Sequence, residues 1–152
     1  MEYRGGGEFY AGKDGAVFAE KDGRLYFAPY GFGSPTPITP AFGRSASPIL
    51  SPEHGRVLFV HTYEERDVLA IVRLDGSSWP RIIASGADFY MQPTWSPNGN
   101  AAAWVEWDHP NMPWDGTRLM FALLDDSGEA CAEAHVLDGG PDTPTFQPEF
   151  SP

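Results

Sequence analysis

The chain is poor in cysteine, in basic residues and in long apolar runs, and each shortage excludes something. Cys131 is the single cysteine among 152 residues, so no disulfide can close within the chain, and a reducing compartment fits. Ten Lys and Arg stand against 21 Asp and Glu, a formal net charge of −11. No basic patch is available to neutralise phosphates, which argues against nucleic acid and anionic membranes as partners. A field of this sign favours cationic ligands, such as a peptide's free amino terminus, though only weakly. No apolar run approaches the ~20 residues that span a bilayer. Met1-Glu2-Tyr3-Arg4-Gly5-Gly6 is followed by no apolar h-region, so the start does not read as a signal peptide. His54, His61, His109 and His135 form no helical i, i+4 pair and no Cys/His cluster, so no zinc site is expected. Asp108 and Asp115 lack the EF-hand spacing for calcium. The expectation is a soluble, cytoplasmic chain without metal or cofactor.

Glycine and proline are abundant, 17 and 15, which suits short strands joined by tight turns. The apolar fraction of 41% is too high for a disordered chain. One phrase recurs. It reads Gln92-Pro93-Thr94-Trp95-Ser96-Pro97-Asn98-Gly99, then the apolar run Ala101-Ala102-Ala103-Trp104-Val105. An earlier copy is Ser47-Pro48-Ile49-Leu50-Ser51-Pro52-Glu53-His54-Gly55, then Val57-Leu58-Phe59-Val60. A third begins as Gln147-Pro148-Glu149-Phe150-Ser151-Pro152. The Ser-Pro pairs are 45 and 55 residues apart, a period that signals a repeat architecture.

Each unit has the same grammar: a short strand ending in Ser-Pro, a Gly turn, a half-buried strand, a variable loop, a third strand, a polar turn and a last strand. In the second unit the strands are expected at residues 46–50, 56–61, 68–73 and 81–84, with 64–67 as the hairpin loop and Leu69, Ile71 and Arg73 on one face. In the third they are expected at 91–95, 100–106, 117–124 and 130–136. The first unit is degraded, with strands at 16–20, 24–28 and 36–39 and a Lys21-Asp22-Gly23 hairpin turn. Pro48, Pro93 and Pro148 are expected where strands begin, because proline cannot donate to a ladder. A generic sandwich with incidental Ser-Pro turns and a helix over 101–107 are the competing assignments. The β-branched and aromatic run at 56–61 argues against the helix. Four strands per unit argue for propeller blades: an all-β partial β-propeller, with blade 1 about 5–40, blade 2 about 46–85, blade 3 about 91–137 and the start of a further blade at 147–152.

Pro-x-Trp-Ser-Pro-Asn-Gly before an apolar strand is similar to the TolB-type propeller repeat. The string Trp104-Val105-Glu106-Trp107-Asp108-His109-Pro110-Asn111-Met112-Pro113-Trp114-Asp115-Gly116-Thr117 resembles a long blade loop of bacterial prolyl oligopeptidase-family serine peptidases, of the acylaminoacyl peptidase or dipeptidyl aminopeptidase type. Glu2-Tyr3-Arg4-Gly5-Gly6-Gly7 resembles a segment of the same propeller. The resemblance implies a propeller followed by an α/β-hydrolase domain. Here no Gly-x-Ser-x-Gly elbow occurs. The family's catalytic residues have no counterparts, none is assigned, and the chain reads as a fragment expected to be inactive alone.

Residues 107–116 are far more than a hairpin needs, and long ordered loops are often functional. The loop should share a face with the connections between blades. Glu106, Asp108 and Asp115 offer carboxylates, Trp107, Met112 and Trp114 an apolar wall, and His109 and Asn111 lie between them. The resemblance implies that such acids hold a substrate's amino terminus, as charge-assisted bonds would allow. The plainer alternative is that the tryptophans pack, Asp108 and Asp115 cap turns, and the loop braces a hydrolase domain. Glu64-Glu65, on the equivalent loop of the second unit, is similar to the paired glutamates of some relatives, and equally suits an exposed charged hairpin. Trp95 and Trp104 are expected in the core rather than on sugar. The expected partners are a peptide substrate in a longer enzyme, the remaining blades and hydrolase domain, or a second copy closing a ring as a homodimer. A stand-alone TolB-type interaction scaffold is the alternative function, and a glycan-binding propeller a weaker third.

Overall fold

The computed structural model describes residues 9–53, 55–125 and 133–152. These form three four-stranded antiparallel sheets, and no helix occurs among the described residues. The first sheet is β1 (Phe9–Ala11), β2 (Gly15–Ala19), β3 (Leu25–Pro29) and β4 (Thr36–Pro37). The second is β5 (Arg44–Leu50), β6 (Arg56–Tyr63), β7 (Arg66–Arg73) and β8 (Arg81–Ala84). The third is β9 (Phe89–Trp95), β10 (Ala101–Trp107), β11 (Arg118–Leu123) and β12 (His135–Gly139). In each sheet the strands lie in chain order from inner to outer edge, which is the blade of a propeller. The three blades form an open arc.

The blades hold together through two apolar layers. Val17, Leu25 and Ile38 of blade 1 meet Leu50, Val57, Phe59, Ala70 and Val72 of blade 2. Leu58, Val60, Leu69 and Ile71 of blade 2 meet Trp95, Ala102, Trp104, Met120, Ala122 and Leu124 of blade 3. Alternate residues of β6 and β7 thus go to opposite layers, as a period-two strand requires. Each fully buried aliphatic or aromatic side chain contributes roughly 1.5–3 kcal/mol. This corrects the half-buried expectation: a blade with a neighbour on each side is buried on both faces, and of Leu69, Ile71 and Arg73 only Arg73, at the strand end, is exposed. Trp95 and Trp104 fill the core as expected, at 6% and 0% exposure.

The prolines are the second correction. Pro48 and Pro93 sit inside β5 and β9, not where they begin. The register shifts there, leaving Phe59 and Trp104 opposite the bulges. The residue before each proline takes a left-handed backbone: Ser47, Gln92 and, in the terminal segment, Gln147. A proline without an N–H is tolerated in a strand at such a bulge. Other shifts are smaller. The hairpin loop of blade 2 is Glu64-Glu65 alone, and β12 begins at His135 rather than 130, of which residues 130–132 lie outside the described ones. Phe9–Ala11 is a strand that the degraded first repeat did not announce.

Blades 2 and 3 are also joined by Arg56. Its Nε donates to Glu53 at 2.7 Å, its Nη2 to the Gly99 carbonyl at 3.0 Å and its Nη1 to the Asp125 carbonyl at 3.4 Å. The guanidinium lies 4.9 Å from the Trp95 ring centroid, whose indole donates to the Ile49 carbonyl. Gly99 is left-handed here, and a Cβ on it would crowd Glu53.

Candidate functional site

Between β10 and β11 the chain makes a ten-residue connection, Asp108 to Thr117. Pro110, after a cis bond, and Pro113 fix φ within it. Two turns form around them. The Asn111 N–H donates to the Asp108 carbonyl at 3.0 Å, and the Asp115 N–H to the Met112 carbonyl at 2.9 Å. Asp115 Oδ2 accepts the Met112 N–H in return. The loop then closes on the strand-to-strand connection after β12. Asn111 Nδ2 donates to the Pro141 carbonyl at 2.7 Å. Thr117, fully buried, donates from Oγ1 to the Thr145 carbonyl and accepts the Thr145 N–H. Gly116 packs so tightly on the Pro141 carbonyl that a Cβ would overlap it.

Under the loop lies a charged cluster. Glu106 is 8% exposed. Its Oε2 accepts the Trp104 indole N–H at 2.9 Å, and its Oε1 accepts Arg118 Nη2 at 3.1 Å. The same guanidinium nitrogen reaches Asp108 Oδ2 at 2.8 Å. Asp108 Oδ1 accepts the Asp88 N–H at 3.0 Å, and Asp88 Oδ2 accepts the His109 N–H at 2.9 Å. Burial works against the Arg118 charge, but Asp108 and Glu106 more than offset it and its pKa is raised. Tyr90, beside this cluster, is pushed up to about 12, by burial first and then by the two carboxylates. Three carboxylates against one guanidinium leave the cluster net negative, which suits an ammonium and not an anion.

The apolar residues divide. Trp107 is buried and stacks on Phe89 with centroids 5.1 Å apart, while His109 meets Phe89 edge-on at 4.8 Å. Trp114 stands out at 60% exposure, above a buried Pro113. Of the expected site residues, His109, Trp114 and Asp115 are at the surface, Asp108, Asn111 and Met112 are half-buried, and Glu106 and Trp107 lie beneath them. Asp88, Phe89 and Arg118 belong to the constellation and were not expected. Asp88 is twenty positions from Asp108 and carries no local signal. Arg118 faces Glu106 across the β10–β11 pair, a register that the length of the loop hides in the sequence.

On blade 2 the equivalent connection is the two-residue turn Glu64-Glu65, both left-handed at φ 49° and 61°. Next to it Phe42 stacks on Tyr63 at 4.1 Å and on His61 at 5.8 Å. Among the described residues no group of three or more His, Cys, Asp or Glu is placed to hold a metal.

No family model matches the sequence, and no curated protein matches it. Solved structures do. A puromycin hydrolase is 37% identical, with a TM-score of 0.73, over 93% of this chain and 25% of that one. A puromycin-hydrolysing peptidase from Mycobacterium tuberculosis is 32% identical, TM-score 0.72, over 88% and 24%. A TolB-like protein from Agrobacterium tumefaciens shares the fold at 23% identity, TM-score 0.65, over 88% and 46%. The chain spans about a quarter of the length of the two peptidases.

Proposed function

We propose, starting from a partial β-propeller of TolB-type repeats that is similar to part of the puromycin-hydrolysing peptidases, that this chain is the non-catalytic propeller segment of a prolyl oligopeptidase-family serine peptidase. In that setting it gates access and helps recognise peptide substrates, while bond cleavage takes place in an α/β-hydrolase domain in the same cytoplasmic enzyme. The observation that carries this is the connection between β10 and β11. It is long, braced at both ends, negatively charged beneath and aromatic at its tip, in a chain otherwise similar to a peptidase. Asp108, with Asp88 and Asp115 near it, is suited to a substrate ammonium. Glu106 supports Asp108 through their shared Arg118. Trp114, Met112, Asn111 and His109 offer the surface around them. Trp107 holds the loop from below.

Titration of the isotope-labelled chain with short peptides tests this. Peptides with a free amino terminus should shift the resonances of residues 108–115 and the Trp114 indole, and N-acetylated versions should not. Equal shifts from both, or none from either, would overturn it. The chain alone should take no label from a fluorophosphonate probe.

A TolB-type scaffold is the second reading, favoured by the likeness in fold. It assigns Trp114 to a protein partner and requires no preference for a free amino terminus. Both readings leave the outer face of blade 3 to be covered, since Leu123 is half exposed there and Phe121, on the same face of β11, meets only Phe150 among the ring contacts described. Further blades supply that cover, or a second copy closing the ring. Light scattering after size exclusion over a range of concentrations separates a dimer from a monomer.

A further inference from the structure

The chain has three asparagines, Asn98, Asn100 and Asn111, and of these Asn98 alone is followed by glycine. In that pair no side chain hinders the next backbone nitrogen from reaching the carboxamide carbon of the asparagine. Attack there forms an N–C bond and closes a five-membered imide. The carboxamide C–N bond breaks, the proton of the glycine N–H goes to the leaving group, and ammonia departs. Water then opens the imide at either carbonyl. One opening gives Asp. The other gives isoaspartate, whose backbone runs through the former side chain and is one carbon longer. The reaction needs no oxidant and no reactant but water.

The fold holds this reaction off at Asn98. The side chain is exposed, in the turn from Ser96 to Gly99 that joins β9 to β10. The attacking nitrogen is engaged elsewhere, because the Gly99 N–H donates to the Ser96 carbonyl at 2.9 Å. The carboxamide is held as well. Asn98 Oδ1 accepts the Ser96 hydroxyl at 2.7 Å and the Asn100 N–H at 3.3 Å. From blade 2, Arg56 holds the Gly99 carbonyl at 3.0 Å, and Glu53 holds Arg56 at 2.7 Å. Closing the imide therefore requires the turn to open, and the turn is part of the junction between blades 2 and 3. Giving up three ordinary hydrogen bonds slows the reaction about tenfold to a thousandfold.

We propose that Asn98-Gly99 is a self-modification site that records openings of the junction between blades 2 and 3 and then keeps it from closing fully. Proteins open locally in cooperative units, and each opening of this junction frees the Gly99 nitrogen and the Asn98 carboxamide together. Isoaspartate at 98 then lengthens the turn. The Gly99 carbonyl no longer meets Arg56, and the Asn100 carbonyl no longer meets the Leu124 N–H that it accepts at 2.8 Å. Asp at 98 has no such effect, since its carboxylate keeps the acceptor for Ser96 and Asn100 and the backbone keeps its length.

The test is to incubate the full chain in mildly alkaline buffer, folded and in urea, and to follow each asparagine by peptide mapping and mass spectrometry. Asn98 should deamidate at least about tenfold faster in urea than in the folded chain. Asn100 and Asn111 serve as references within the same digest. Arg56→Met and the milder Glu53→Gln should each speed the reaction at Asn98 severalfold in folded protein, well below the melting temperature. Val17→Ala, which loosens the packing of blade 1 instead, should not. Aged chain separated by chromatography should melt lower when it carries isoaspartate at 98, and Asn98→Asp should melt as the parent does. Equal rates at Asn98 in folded and unfolded chain would overturn the proposal. So would a parental rate in both Arg56→Met and Glu53→Gln, or in Glu53→Gln alone where Arg56→Met does not fold. An equal acceleration by Val17→Ala would assign the reaction to global unfolding and remove the junction from it. Isoaspartate-98 chain that melts with the parent would show that the longer turn leaves the junction intact, against the proposal.

Discussion

β6 and β10 hold the same place in successive blades, and both put a large aromatic opposite the inner-strand bulge: Phe59 in one, Trp104 in the other, each with no exposed surface. Two residues further on they differ. β10 has Glu106, held by the Trp104 indole and by Arg118. β6 has His61, whose Nδ1 is buried with no partner among the described residues, as is the Oγ of Ser45 directly across the strand pair. A phenyl ring has nothing to donate where the indole does. Val68 stands across from His61 where Arg118 stands across from Glu106. A carboxylate is tenable in that position because its partners are present, since an unpaired buried charge would be costly. Arg118 also reaches Asp108 and ties down the root of a ten-residue loop. Blade 2 has no such network, and its connection is two residues long.

The largest test of this difference is to remove the two aromatics in turn. Phe59→Ala and Trp104→Ala should each cost ~3–5 kcal/mol in urea denaturation. Trp104→Ala should cost the more, because Glu106 also loses a donor. Equal costs would mean that the indole does nothing for the carboxylate.

Arg118→Met goes to the network itself. Breaking a buried pair costs ~3–5 kcal/mol. Arg118 is a third exposed, so about 2–3 kcal/mol is expected. Adding Glu106→Gln should return part of that loss, because it neutralises the stranded charge. A double variant no more stable than Arg118→Met would show that Glu106 is not what Arg118 stabilises.

A smaller effect, of opposite sign, is expected in blade 2. Glu64 and Glu65 occupy left-handed positions that Asn-Gly fills with less strain. The Glu64→Asn, Glu65→Gly double variant should raise stability by about 0.5–1 kcal/mol without affecting residues 108–117. A loss would show that the glutamates have local work beyond the turn.

The smallest effect concerns His61. Burial lowers its pKa in the folded chain. Below about pH 6.5 the unfolded chain therefore takes up a proton that the folded chain resists. Its contribution to stability is present above that pH and is lost as pH falls toward the folded value. His61→Phe should remove this component of the fall in melting temperature between about pH 7.5 and 5.5. Asp67, whose pKa burial raises, acts in the other sense in the carboxylate range, where stability is regained as pH falls. An unchanged slope in His61→Phe would exclude the histidine as its source.

Much of the fold was legible because its signals are local. Ser-Pro-Asn-Gly sets a turn through its own backbone preferences, and the apolar runs after Gly55 and Gly99 mark β6 and β10 to within a residue or two. The place of Pro48 and Pro93 was not legible. A proline reads as a strand end, and only pairing to the neighbouring strand shows that it sits in a bulge. β1 was missed because Phe9–Ala11 is short and exposed. The loop at 108–117 stood out by length and composition. Its roots in Asp88, Arg118 and Thr145 did not, because they come together only through strand register and the closing of the chain after β12.

Arg56 reaches across to blade 3 mainly through backbone oxygens, those of Gly99 and Asp125. A clamp of that kind does not depend on which side chains the neighbour carries. It needs only that the turns at Ser96 to Gly99 and at Asp125 trace the right path. Successive repeats can then drift apart in sequence while their junction survives, as long as the turn-forming proline and glycine persist. For engineering, this makes the junction of blades 2 and 3 the natural place to graft in a foreign repeat. The donor must match in turn shape, with a flat aromatic at the position of Trp95, and is otherwise free.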